Sequence, residues 1–170
     1  NISPIWIMRQ AGRYLPEFRK IRKKNPDFIK LCLNKSIVPE ITLQPLQRFD
    51  FDAAIIFSDI LMLPYGLGQE VKFEKGLGPK LGKLDLDLIG NVSEEKFSEK
   101  LNSIYKSISN ISSDTMCRNK DIIGFVGAPW TILVYMINKM SPKNSLSKKI
   151  FEDKLFIKKL IALIIKFLKI

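Results

Sequence analysis

The chain has 170 residues, 46% of them apolar and 26% charged, which describes folded globular protein and excludes a disordered tail. Its net charge of +11 comes from 28 basic residues, only six of them Arg, scattered among many Ile and Asn; such lysine scatter is the mark of an AT-rich genome and not the clustered footprint of a nucleic-acid site. No histidine is present, which removes the usual general base, the commonest metal ligand and Ser-His or Cys-His nucleophiles, and leaves carboxylates, Arg, Tyr and Lys to carry any chemistry.

Ile5–Met8 is a short apolar run and predicts a first strand, extending to Arg9. Gly12 interrupts it, and Leu15–Lys24 then shows helical spacing with a basic face, followed by a short helical segment at Asp27–Leu33. Pro39 suits the first turn of a helix running to Arg48. Ala53–Phe57 is a continuous apolar run, as a parallel strand buried on both faces requires, and Ser58-Asp59 stands at its carboxyl end. A Gly- and Pro-rich loop follows, with Glu70–Glu74 alternating as a short exposed strand. Asn91 is placed to cap a helix, with Glu94 as its capping-box partner. That helix runs to Ile111 with Phe97, Leu101, Ile104, Tyr105 and Ile108 on its apolar stripe. Ile122–Val126 predicts the next buried strand, ended by Gly127-Ala128-Pro129. A helix over Thr131–Met140, stopped by Ser141-Pro142, and a last one over Ser147–Lys169 complete the chain.

Strands alternating with helices imply a parallel sheet with helical crossovers, in a doubly wound sheet or a (β/α)8 barrel. A complete barrel needs about 250 residues, so three strands predict a small α/β domain or part of a barrel. The three strands are expected to be parallel and adjacent. If the barrel is partial, Ile55, Phe57 and Phe125 are expected to be incompletely covered, and the last helix to carry an unpartnered apolar face.

Cys32 and Cys117 lie far apart, form no CxxC pattern and read as free thiols of a reducing compartment. The chain opens without Met and without a basic-then-apolar leader. Its most hydrophobic stretch, Leu160–Ile165 between lysines, falls far short of the roughly 20 residues of a membrane helix.

Three segments bear chemistry. Arg9-Gln10-Ala11-Gly12-Arg13-Tyr14 follows the first predicted strand, where α/β folds place ligands, and its two guanidiniums are suited to carboxylates. Spacing alone equally allows two surface arginines beside a loop glycine. Asp59 at a strand's carboxyl end is placed to stabilise positive charge in an apolar mouth, or to cap a turn. Tyr135, in the helix after Gly127-Ala128-Pro129, either reaches the same mouth through its hydroxyl or packs on an apolar face. No GxGxxG or Walker-type glycine pattern occurs, so nothing points to a dinucleotide or P-loop site.

Together these segments resemble one family. Pro4-Ile5-Trp6-Ile7-Met8-Arg9-Gln10-Ala11-Gly12-Arg13-Tyr14-Leu15-Pro16-Glu17 is similar to the amino-terminal signature of the uroporphyrinogen decarboxylases. Thr42-Leu43-Gln44-Pro45, Phe51-Asp52-Ala53-Ala54-Ile55-Ile56-Phe57-Ser58-Asp59-Ile60-Leu61 and Gly124-Phe125-Val126-Gly127-Ala128-Pro129-Trp130-Thr131 follow in the family's order. The likeness weakens between Gly82 and Lys120 and after Met140.

The resemblance implies an α/β fold, residues 1–170 being the amino-terminal part of one (β/α)8 TIM barrel catalytic domain. It implies a cytoplasmic homodimer that converts uroporphyrinogen III to coproporphyrinogen III in haem and porphyrin biosynthesis. The enzyme would use no metal or organic cofactor, and the chain would contact neither nucleic acid nor membrane. Arg9 and Arg13, with the backbone of Gln10, Ala11 and Gly12, would hold substrate carboxylates. Asp59 would accept pyrrole N–H groups and stabilise the cationic intermediate, Tyr135 would support it, and Arg9 is a candidate proton donor. The family also uses a serine and a histidine from its second half, so this piece alone is expected to be inactive and prone to aggregate. Two rivals stand beside this reading. Corrinoid-dependent methyltransferases of the same superfamily hold zinc through His and Cys in their second half and generally lack the RQAGRY segment. A basic anion-binding module rests on net charge alone.

Overall fold

The structure is a computed structural model, and it describes residues 3–74, 76–141, 148 and 152–170. The chain divides into two compact units, one of residues 1–59 and 102–125, the other of residues 60–101 and 126–170.

The first unit begins with an extended segment and three helices, α1 (Pro16–Lys24), α2 (Phe28–Cys32) and α3 (Ile37–Arg48). Asp27 caps α2 by accepting the Lys30 N–H at 3.1 Å. Strands β1 (Ala53–Ile55) and β4 (Asp121–Ile123) pair in parallel, Ala54 opposite Ile122, so two of the three expected strands are present and parallel. Side chains of a strand alternate between faces. Ala54 and Ile56 turn to a core with Val38, Leu43, Leu46, Phe51, Ile111 and Cys117. Ile55 and Phe57 take the other face and stay half-buried, and Phe125 is 44% exposed, matching the expected incomplete cover. A second cluster of Leu15, Phe18, Leu31 and Ile41 packs under Phe57, whose ring meets Phe18 and Phe28 edge-on at 5.6 and 5.9 Å.

The predicted first strand is not one. Ile5 pairs with Asp52, donating its N–H to Oδ2 at 2.6 Å and accepting the Asp52 N–H at 2.9 Å. Gln10, five residues on, reaches Ala53 and Ile55, only one and three residues beyond Asp52. The segment is too long for the edge it covers, so it bulges between these points, and Ile5, Trp6, Ile7 and Met8 stay exposed. β1 and β4 are also shorter than expected. Beyond Ile56 the chain leaves β4: the Phe57 N–H donates at 3.0 Å to the buried Thr42 hydroxyl, which itself donates to the Val38 carbonyl at 2.8 Å. Thr42→Val keeps the shape and strips the Phe57 N–H of its acceptor. It is expected to cost about 1–3 kcal/mol in denaturant unfolding.

In the second unit, α4 (Met62–Gly66) leads to an antiparallel hairpin of β2 (Val71–Glu74) and β3 (Gly78–Leu81). β2 matches the alternation of residues 70–74, whereas β3 was masked by its glycine and proline. Its turn uses positive φ at Gly76 and Gly78, the conformation that glycine adopts without strain. Lys72 and Lys80 face each other across the hairpin, and each is offset by a carboxylate, Glu70 and Glu74 respectively. Asn91 does not start the long helix α6 (Glu94–Ser112). It closes a short helix, α5 (Leu86–Gly90), while the Ser93 hydroxyl accepts the Lys96 N–H at 3.2 Å. Of the predicted stripe on α6, Phe97 and Leu101 are buried and Tyr105 is exposed. Residues 94–101 of that helix belong to the second unit and 102–112 to the first.

α7 (Pro129–Asn138) stops two residues before the predicted end at Met140, with its C-cap Lys139 in the left-handed conformation, ahead of the expected stop at Ser141-Pro142; Pro142 lies outside the described residues. α8 (Lys154–Leu168) closes the unit; of the residues predicted ahead of it, Ser147 and residues 149–151 lie outside the described residues. The expected unpartnered face on α8 is not found. Leu160, Ile164 and Phe167 are buried, and Phe167 stacks on Phe97 at 4.8 Å, because α4, α6 and α7 supply apolar partners from within the unit. Leu155 and Ile165 of this helix remain exposed.

Candidate functional site

A cleft of about 350 Å³ opens in the first unit, lined by residues 8–14, by residues 55–58 and by Phe125. That volume is at the lower end for small-molecule sites. Its floor is the Ile55 and Phe57 face of β1, and its rim is the Arg9–Arg13 loop.

The loop owes its shape to contacts with β1 and α1 and to one within itself. Gln10, 2% exposed, spends its side chain on β1: Nε2 donates to the Ala53 carbonyl at 2.7 Å, and Oε1 accepts the Ile55 N–H at 3.0 Å. Its carbonyl accepts the Tyr14 hydroxyl, whose pKa is pushed up by burial. Arg19 on α1 donates to the carbonyls of Arg13 and Tyr14 at 2.8 and 3.0 Å. The carbonyls of Gln10, Gly12, Arg13 and Tyr14 are therefore occupied, whereas among the described residues the N–H groups of Ala11, Gly12 and Arg13 meet no protein acceptor. Arg9 and Arg13 are exposed on this rim, and among the described residues neither has a carboxylate within ion-pair distance. Two guanidiniums and three backbone N–H groups that meet no protein acceptor among the described residues are donors of the chemical kind that a carboxylate or another oxyanion can accept from. Gly12 has room for a Cβ, whose nearest neighbour would be the Tyr14 ring at 3.8 Å, so close packing does not explain that glycine.

Asp59 directly follows Ser58, the last lining residue of β1's run, and is half-buried. Its charge reaches Cys32, whose thiol is pushed far up by burial first and by Asp59 next. Cys32 and Cys117 are both free and buried. Tyr135 lies half-buried on α7 in the second unit, so the first unit brings together Arg9, Gln10, Ala11, Gly12 and Arg13, with Asp59 next in chain, without it. Reading the sequence missed Thr42, Arg19 and the Tyr14 hydroxyl as determinants of the cleft. Their contacts carry no local signal, since each is an ordinary side chain until its partner folds against it.

Arg48 forms a bidentate pair with Glu17 at 2.5 and 2.9 Å, tying the end of α3 to the start of α1 behind the loop. The hydrogen bond from Arg48 holds the Glu17 carboxyl down at about 2, below the ordinary 4.5. A lowered folded-state pKa stabilises above the unfolded value and is lost as pH falls through the folded one. Acid unfolding of the wild type is therefore expected to steepen between pH 4.5 and about 2, and Glu17→Gln to remove that part of the slope. The pair is exposed and so contributes modestly.

The parallel β1–β4 pair with helical crossovers defines an α/β fold that forms part of a (β/α)8 barrel. The chain superposes on a methyltransferase from Methanosarcina mazei with a TM-score of 0.70 over 98% of this chain and 49% of that one, at 13% identity, a likeness of fold. The family model described as uroporphyrinogen decarboxylase (URO-D) matches residues 1–170. Proteins named uroporphyrinogen decarboxylase from Chelativorans sp. and Brucella anthropi are each 46% identical over 134 residues, 79% of this chain and 39% of theirs. The chain belongs to the uroporphyrinogen decarboxylase family, and it spans 39% of the length of these curated relatives. Among the described residues no helix is long and apolar enough to cross a membrane.

Proposed function

We propose that residues 1–170 are the carboxylate-anchoring, amino-terminal part of a single barrel catalytic domain that decarboxylates uroporphyrinogen III to coproporphyrinogen III. The observation that carries this is the cleft rim, where Arg9, Arg13 and the N–H groups of residues 11–13 stand together without acceptors among the described residues. A substrate with eight carboxylates matches such a rim in charge and in hydrogen-bond geometry.

Each acetate leaves by the same route. A proton adds to a pyrrole carbon, the bond to the carboxylate carbon breaks, and its electron pair flows into the cationic ring as CO2 departs. A second proton then turns the exocyclic carbon into a methyl group, and the ring proton is returned. Asp59 is the acceptor for the pyrrole N–H groups and the counter-charge of the cationic ring. Arg9 is the candidate proton donor, and Tyr135 supports Asp59 and the substrate. As the family resemblance implies, no metal or organic cofactor enters, and the working form is a cytoplasmic homodimer without nucleic-acid or membrane partners. This chain contains no histidine, so any histidine the reaction uses comes from the remaining length found in the relatives.

The test joins this chain to the remaining length of the Chelativorans relative and assays conversion of uroporphyrinogen to coproporphyrinogen. The chimera is expected to turn over, and the 170-residue chain alone is not. A folded chimera that binds no tetrapyrrole would defeat the proposal.

A further inference from the structure

We infer that Gln10 is the positioning residue of the anion-binding loop: its side-chain amide stands in for a neighbouring strand on the open edge of β1 and thereby sets where Arg9 and Arg13 stand. The inference rests on the anion-binding reading given above. In a parallel strand, alternate residues direct their backbone groups to opposite edges. Asp52 O and Ile56 N–H serve the β4 side, accepting from Asp121 at 2.9 Å and donating to Ile123 at 3.1 Å. Ala53 O and Ile55 N–H therefore face the other way, where among the described residues no strand pairs with β1. Gln10 meets both, donor to carbonyl at 2.7 Å and acceptor to N–H at 3.0 Å. The reverse amide orientation would set oxygen against oxygen and N–H against N–H, so the pairing admits one arrangement.

Buried backbone groups left unpaired are costly, and this amide satisfies two of them. It also pins the loop. Gln10 is buried while Arg9 and Arg13 on either side are exposed, so the side chain that grips β1 fixes the root from which both guanidiniums project. Tyr14 on the Gln10 carbonyl and Arg19 on the Arg13 and Tyr14 carbonyls hold the loop's far end. Gln10 thus acts on the anion through the loop, with no contact of its amide to the ligand.

The test uses the full chain, wild type, Gln10→Ala and the isosteric Gln10→Glu. Uroporphyrin, as the fluorescent eight-carboxylate probe, is titrated to read Kd and stoichiometry separately, while NMR follows Ile55 amide exchange and the Gly12 and Arg13 amide shifts. Both variants are expected to raise Kd about tenfold or more at unchanged stoichiometry, with the Gly12 and Arg13 shifts displaced, since a misplaced loop loses charge-assisted hydrogen bonds. Ile55 protection should vanish in Gln10→Ala and persist in Gln10→Glu, whose carboxylate still accepts that N–H but opposes the Ala53 oxygen. A merely structural amide would lower the stoichiometry and leave Kd unchanged, which overturns the inference, as do unmoved loop shifts in Gln10→Ala. If the wild type binds no uroporphyrin, the anion-binding reading fails by itself. The loop shifts then still decide whether Gln10 places the loop.

Discussion

Replacing Arg9 and Arg13 together by alanine is expected to weaken uroporphyrin binding by about 10²–10⁴-fold, since each charge-assisted guanidinium–carboxylate contact contributes about 1.5–3 kcal/mol. The lower end holds if the guanidiniums stay solvated in the complex, because both are exposed on the rim. Fluorescence titration at fixed ionic strength measures the loss, and repeating it at higher salt should narrow the gap between wild type and variant as screening grows. Arg118, exposed beyond the 3-10 turn at Thr115–Cys117 and outside the cleft, is the control. Arg118→Ala is expected to leave affinity unchanged. An equal loss there would mean that the scattered basic surface attracts the probe, and the rim would lose its claim to be a site.

Phe97→Ala is expected to destabilise the second unit by about 3–5 kcal/mol, a large share of the roughly 5–15 kcal/mol of an ordinary domain. Phe97 is 3% exposed and sits at the meeting point of α4, α6 and α8, with its ring 4.8 Å from that of Phe167. Gly66, the last residue of α4, lies directly under it: a Cβ there would come within 2.5 Å of the Phe97 ring. The two positions are therefore coupled through one volume. Gly66→Ala alone should overpack the ring and cost about 1–3 kcal/mol, yet be neutral or stabilising in the Phe97→Ala background, where the methyl enters the cavity. Denaturant midpoints of the four proteins give the coupling energy. Additive effects would show that the ring moves aside freely, and that α8 is not held through Phe97.

Local signals in the chain were sufficient wherever a structure is made by neighbours in sequence. The helix with Pro39 in its first turn runs to Arg48 as its pattern predicts, and the apolar runs beginning at residues 53 and 122 supply the parallel pair, because proline's place and burial are written within a few residues. The family, too, was legible in the order of its motifs, and the model that matches residues 1–170 agrees. Other elements misled for the same local reason. Ile5–Met8 has a strand's composition but no ladder, since among the described residues Ile5 bonds only to Asp52 and the Gln10 side chain only to Ala53 and Ile55, and the residues between bulge. Asn91 has a cap's chemistry, but Ser93 is nearer the helix start and α5 claims the asparagine. β3 is hidden behind Gly78 and Pro79, and only its pairing with β2 makes it a strand. The cleft was legible in its residue types and not in its construction. Gln10 and β1 are 43 to 45 positions apart, and Thr42 and Phe57 are 15 apart. A hydrogen bond over such separations leaves no periodic trace in the sequence, because either partner alone is an ordinary polar group. Only folding, which removes water from both and obliges each buried donor to find an acceptor, decides that they meet.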